Sequence, residues 1–217
     1  FNEGYNATTG DRILRDDLCY EALRLVEIIT NHKSFTNDYS LSLSGLIKCH
    51  LSRMKARFDY DKHLITLDKQ DRKKWDIDLM NSGFLDLQKV QVRLTNKYFL
   101  EASISATHCN AKSFEDTDWG MIISVYNSLY QLESSPYILM NKYIAISYHQ
   151  SLEIAIELML TLKELENYYL YNSTLSQLYR RMGDISKAIE YIQKAITLTE
   201  NKKEIEHLTK KLKDLSN

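Results

Sequence analysis

YLYNSTLSQLYRRMGDISKAIEYIQKAITLTENK, residues Tyr169–Lys202, places two amphipathic runs on either side of a Gly183-Asp184 turn. The first run carries Leu175, Ser176 and Tyr179 at helical spacing, and the second carries Ala188, Ile192, Ala195 and Leu198. Small residues let two helices approach closely, while the large ones fill the groove between them. This stretch therefore reads as a helical hairpin, and it sets the expectation for the whole chain: an all-α fold.

The hairpin resembles the tetratricopeptide pattern, in which residue types recur at set offsets over a helix–turn–helix unit of about 34 residues. It departs from that pattern at Asn172, where a large apolar residue is usual, and at Glu200, where Pro is usual. A more degenerate copy is expected over Pro136–Tyr168, with Asn141, Ala145 and Ala155 in the corresponding region and Pro136 in the first helical turn, where its missing N–H costs nothing. Lys202–Leu215 puts Ile205, Leu208, Leu212 and Leu215 on one stripe, as suits a terminal cap on a helical stack.

Upstream of Pro136 the pattern stays helical. One Pro and six Gly in 217 residues are too few breakers for a multi-turn β fold, against a usual combined share of about 12%. Helices are predicted over Asp11–Thr30, Asn37–Phe58, Arg72–Arg93, Asn96–Ala111 and Asp118–Leu132, giving about ten in all. The exception is Asp59–Leu67, a polar turn and a β-prone run that reads as an irregular or hairpin arm. Residues 1–133 form one region and 134–217 the tetratricopeptide-like hairpins with their capping helix, as two domains or one continuous one.

Lys and Arg total 28 against 29 Asp and Glu, a formal charge of −1 that gives no net attraction for a phosphate backbone. Direct nucleic-acid binding by this chain is not expected. The basic side chains Lys48, Arg53, Lys55 and Arg57 gather late in the second helix, where cations suit the dipole, and read as a solvated face. Cys19, Cys49 and Cys109 sit in apolar helical patterns as small buried hydrophobes, which points to a reducing cytoplasm. No apolar run approaches the ~20 residues of a membrane span and no signal peptide opens the chain, so a soluble, cytoplasmic protein without a membrane partner is expected. The chain begins without Met and inside a motif, as a piece of a longer polypeptide would.

Catalytic and metal chemistry find little support in the pattern. Glu115, Asp116 and Asp118 precede an apolar helix and read as caps and dipole partners rather than an acid/base set. Cys49-His50 and His108-Cys109 are adjacent pairs that diverge on a helix, with no Cys or His at i+3 or i+4 to complete a ligand set, and they read as core cysteines beside surface histidines. Phosphate loops, dinucleotide fingerprints and nucleophile elbows are absent. The expectation is a protein that is not an enzyme, with no cofactor and no metal.

Three polar-aromatic motifs carry more information: Phe1-Asn2-Glu3-Gly4-Tyr5, Asp68-Lys69-Gln70-Asp71-Arg72-Lys73-Lys74-Trp75 and Glu115-Asp116-Thr117-Asp118-Trp119. Each stands at the head of a helical stretch, where a carboxylate is commonly an N-cap; Asp11, Asp71 and Asp118 fit that role. Capping alone does not account for Tyr5, Trp75 and Trp119. With Gly10-Asp11 and Asn141, this ordered series resembles the C-terminal extension of a group of extracytoplasmic-function RNA polymerase sigma factors, over essentially the whole chain. Tyr143 stands where those relatives carry a small residue.

The resemblance implies that the sigma regions binding core polymerase and the −10 and −35 elements lie in a separate N-terminal half. This chain is then a regulatory or scaffolding half, whose partners are the sigma regions of the same polypeptide and the RNA polymerase core. The motif residues Phe1, Asn2, Glu3, Tyr5, Asp68, Gln70, Asp71, Arg72, Trp75, Glu115, Asp116, Asp118, Trp119 and Asn141 are the candidate interaction site, expected to meet in one polar-aromatic surface unless they only cap and pack helices. A free-standing tetratricopeptide adaptor and a small-molecule-sensing helical domain are the alternatives.

Overall fold

The computed structural model describes Phe1, residues 16–60 and residues 65–216. Among the described residues there are ten α-helices and no strand: α1 (Asp16–Asn31), α2 (Asp38–Ser52), α3 (Ile77–Gln88), α4 (Lys97–Asn110), α5 (Trp119–Leu132), α6 (Pro136–His149), α7 (Leu152–Met159), α8 (Tyr169–Met182), α9 (Ile185–Thr197) and α10 (Lys202–Ser216). Short 3-10 turns occupy Met54–Ala56, Leu67–Lys69, Arg72–Lys74 and Lys163–Leu165. The all-α expectation holds.

Local chemistry starts most of these helices. Asn37 accepts the N–H groups of Tyr39 and Ser40, and the Ser40 hydroxyl accepts from the Asn37 N–H, closing a capping box before α2. Asp76, Asn96, Ser151 and Asp184 cap α3, α4, α7 and α9 by accepting from Leu79, Phe99, Ile154 and Lys187. At the other end of α8, Gly183 takes a φ of 89°, the left-handed conformation that ends a helix without Cβ strain.

The described chain divides after Asp118, fifteen residues before the boundary read from the sequence, because α5 packs on α6. In the first unit α2 is the hub, with α1, α3 and α4 packed on it. Gly45 of α2 and Gly83 of α3 permit a close crossing: a Cβ on Gly45 would lie 2.5 Å from Leu87 Cγ, and one on Gly83 would lie 3.0 Å from Lys48 Cβ. α2 and α4 run parallel. Asn96 Nδ2 at the head of α4 reaches Asp38 O and Ser42 Oγ at the head of α2, while Cys109 Sγ near the end of α4 reaches Cys49 O near the end of α2.

In the second unit each helix packs on its successor from α5 to α10. α8 and α9 form the expected hairpin, with Leu175, Tyr179, Ala188, Ile192 and Ala195 buried. The Ser176 hydroxyl donates 2.7 Å to the Ala188 carbonyl across the helix contact. Asn172 is fully buried, where its amide donates to Glu166 O and Tyr168 O; a polar side chain serves there because it closes the turn before α8. Tyr143 is also buried, in a core with Met140, Ile156 and Met159.

Two predicted helices are shorter than expected. The segment from Arg72 forms only a 3-10 turn capped by Asp71, Trp75 leaves it in extended conformation, and α3 starts at Ile77. The Asp76 N–H donates 2.7 Å to Ser52 O, anchoring this entry to α2. At its far end, Asp38 accepts from the N–H groups of Gln91 and Val92 and holds that chain off helical geometry before Arg93. α2 itself stops at Ser52 rather than Phe58. The arm has Ile65 N–H donating 2.7 Å to Arg57 O, and residues 61–64 lie outside the described residues.

Candidate functional site

Parallel packing of α2 and α4 aims two negative helix ends at one place, and arginines collect there. Arg72, expected on an interaction surface, instead donates from Nη1 to the carbonyl oxygens of His108 and Ala111, both at 2.9 Å. These belong to the orphan carbonyls of the last turn of α4, which a cation satisfies best. Its guanidinium lies 4.4 Å from the Trp75 ring centroid, and Trp75 is 5% exposed among Cys49, Ala56, Met80 and Cys109. Burial lowers the Arg72 pKa, against the opposing influence of Cys109, Glu115 and Asp116.

The supposed solvated basic face on the second helix is largely interior. Arg53 is 7% exposed and directs Nη2 to His50 Nδ1 at 3.1 Å, and only Lys55 of the four cations is exposed. Because Arg53 donates, Nδ1 of His50 accepts and Nε2 carries the proton, facing Ser105 Oγ at 3.2 Å. Lys48 is buried as well. Its Nζ lies 2.7 Å from Asp86 Oδ2, which also accepts from Ser44 at 2.8 Å. Burial alone would raise the Asp86 pKa, but the Lys48 and Ser44 hydrogen bonds and the Lys48 charge overcome it and hold the carboxyl below its usual range.

The histidines are half-buried, not at the surface. Burial, then Arg53, Arg57 and His108, lower the His50 pKa to about 3. Burial, then Arg53 and Arg72, lower that of His108 to about 4. Both imidazoles are neutral at pH 7, because a second positive charge among arginines away from water is unfavourable. Cys49 and Cys109 lie in the same cluster, with Ser52 Oγ 4.0 Å from Cys109 Sγ. Among the described residues no three His, Cys, Asp or Glu side chains gather to hold a metal ion.

Parts of the motifs reach this cluster. Phe1 places its ring centroid 5.9 Å from that of His50 and packs near Cys19, Val26 and Ile47. Asn2, Glu3, Tyr5 and the predicted cap Asp11 lie outside the described residues. Gln70 Nε2 donates to Ile65 O, Asp71 Oδ1 accepts from Lys73 N–H, and Asp68 is exposed. Glu115 and Asp116 are exposed but act electrostatically on Arg72. Glu115 is held below the usual carboxylate range, first by its own backbone N–H and then by the Ser113 hydroxyl.

Trp119 belongs to the second unit. It opens α5 and stacks on Tyr148 at the end of α6, with centroids 4.5 Å apart, while the Arg181 guanidinium lies 3.9 Å from the Tyr148 centroid and donates to Ser147 Oγ and O. Three helix ends are tied together there. Asn141 is exposed and donates to Tyr137 O within its own helix. The missed residues His50, Arg53, Cys49 and Cys109 share one signal: Cys49-His50 and His108-Cys109 each lie in the last turn of a helix, whereas no signal pairs Lys48 with Asp86. Spacing along the chain does not reveal that those two ends adjoin.

No helix among the described residues is long and apolar enough to cross a membrane. Residues 1–91 match the model of a family of unknown function (DUF6596). The chain is 30% identical over 219 aligned residues to an uncharacterized protein of Rhizobium meliloti (strain 1021), an alignment covering 100% of this chain and 51% of the relative. The chain thus spans about half the length of the curated relative it matches.

Proposed function

We propose that this chain is the C-terminal regulatory half of an extracytoplasmic-function RNA polymerase sigma factor, acting in the cytoplasm through protein contacts rather than through DNA contacts or catalysis. The observation that carries the reading is the ordered series of three motifs, followed over residues 134–217 by a sequence pattern resembling tetratricopeptide hairpins. A relative about twice as long leaves room for a second functional half, as this reading requires.

The contact surface differs from the one the motifs suggested. Trp75 is interior and Arg72 is spent on α4, so neither presents its side chain to a partner. On α1, by contrast, Val26 faces the core while Leu25 and Ile28 remain 49% and 54% exposed, and Phe35 follows at 61%. Large exposed apolar side chains grouped on one helix are what a protein interface uses and a solvated face avoids. The proposed occupant is the sigma regions of the same polypeptide. Arg72 and Trp75 serve instead in the interior of the unit that carries α1.

The test is association of this chain with the separately expressed sigma regions, measured by titration calorimetry. Leu25→Asp with Ile28→Asp is expected to weaken it at least about tenfold, or ~1.4 kcal/mol, with helix content unchanged. Unaltered affinity removes α1 as the surface, and no association with the wild-type chain removes the proposal.

A further inference from the structure

Two of the three cysteines are neighbours in space although 60 residues apart in sequence. Cys49 lies on α2 and Cys109 one residue before the end of α4. Cys109 Sγ is 3.6 Å from Cys49 O. They share one core cluster with Trp75.

The surroundings make the two sulfurs unequal. The neighbouring Cys49, then Arg53, Ser52 and Arg72, lower the Cys109 pKa to about 7 against the opposing effect of burial. The neighbouring Cys109 and burial push Cys49 upward. The first proton to leave the pair comes from Cys109. A thiolate beside guanidiniums with a second cysteine in the same cluster has the two parts of a redox-sensitive site, an attacking sulfur and a resolving one.

We propose that Cys49 and Cys109 are a reversible thiol–disulfide site oxidised by hydroperoxides, which cross-links the adjoining C-terminal ends of α2 and α4. The Cys109 thiolate attacks one peroxide oxygen; an S–O bond forms, the O–O bond breaks, and the departing hydroxide takes a proton and leaves as water. The Cys49 sulfur then attacks the sulfenic sulfur. An S–S bond forms, the S–O bond breaks, and the hydroxyl leaves as water with the Cys49 proton. Two thiols lose two electrons and two protons in total, and one hydrogen peroxide becomes two waters. A thiol reductant reverses the bond.

Cys19 is the internal control. It is as deeply buried, but it packs against Val26, Ile47, Leu51 and Met54 with no second cysteine in its cluster. The experiment treats the full chain with hydrogen peroxide, quenches with catalase, alkylates under denaturing conditions and maps the peptides by mass spectrometry. The expected result is a Cys49–Cys109 cross-linked peptide pair that dithiothreitol abolishes. Free Cys109 should disappear roughly tenfold faster than free Cys19, as thiolate character dictates.

With Cys49→Ser, dimedone should trap a sulfenic acid on Cys109; with Cys109→Ser, Cys49 should stay reduced. Three free thiols after treatment, oxidation of Cys109 to sulfinic acid while Cys49 stays free, or loss of Cys19 at the same rate as Cys109 would each overturn the proposal. The wild-type peptide map decides the matter even where a serine variant fails to fold.

Discussion

Arg72 Nη1 donates to the carbonyl oxygen of His108 at 2.9 Å, so a residue expected to bind a partner instead finishes a helix of its own unit. Removing it leaves carbonyls of the last turn of α4 without their charged donor and strips the cation from the Trp75 ring. Arg72→Ala is expected to cost about 1–3 kcal/mol, the range for a charged hydrogen bond. Chemical denaturation should show it. Any loss of transcriptional activity in this variant should track the loss of stability, and activity lost at full stability would return Arg72 to the contact surface.

The half-buried histidines make the fold sensitive to mild acid. Folded pKa values of about 3 for His50 and about 4 for His108 lie below the value near 6.5 of an unfolded chain. Between those limits the unfolded state binds more protons, so stability is present above pH 6.5 and falls as the pH drops through that window. At pH 5 each histidine should have withdrawn about 2 kcal/mol. Urea midpoints from pH 7.5 to pH 5 should fall steeply, and His50→Gln should flatten the slope by about half if it folds. A flat profile would mean the imidazoles are hydrated.

The Lys48–Asp86 pair sits at the close α2–α3 crossing, beside Gly45 and Gly83. Lys48→Met leaves the Asp86 carboxylate with Ser44 and the exposed Lys89, and is expected to destabilise by about 3–5 kcal/mol, as when one partner of a buried pair is lost. Replacing both, Lys48→Met with Asp86→Leu, should recover much of that loss. The Asp86 contribution is full above the carboxylate range and disappears as acid protonates it. A double-mutant cycle with no coupling would contradict the account of this crossing.

In the second unit, Ala188→Leu should overpack the α8–α9 contact at a fully buried position and cost about 1–3 kcal/mol. Gly183→Ala meets no neighbouring atom, yet its φ of 89° should cost about 1 kcal/mol from backbone strain alone. Thermal unfolding of the two variants separates the mechanisms: Ala188→Gly should not reproduce the overpacking, whereas Gly183→Asn should be milder than Gly183→Ala.

The fold was legible where a residue's role is local. Asn37, Asn96 and Asp184 cap helices because the accepting oxygen and the donating N–H lie within three residues, and the periodicity of Tyr169–Lys202 exposes its buried face. The candidate site was less legible because its determinants are not local. Trp75 looked like a contact residue until its extended backbone turned it inward, and Lys48 and Arg53 looked solvated until α3 and the ends of two parallel helices enclosed them. Charge on a helix face does not show which neighbour will cover it. Glu115 and Asp116 act on Arg72 only electrostatically, because its hydrogen bonds go to carbonyls at the end of α4.

The most direct measurement of the central claim is run-off transcription by core RNA polymerase supplied with the whole polypeptide that carries this chain. The account predicts promoter-dependent transcripts that require the polypeptide and that fall at least about tenfold when Leu25→Asp and Ile28→Asp are introduced without loss of helix content. A polypeptide that folds, binds no core polymerase and supports no specific transcript would contradict it.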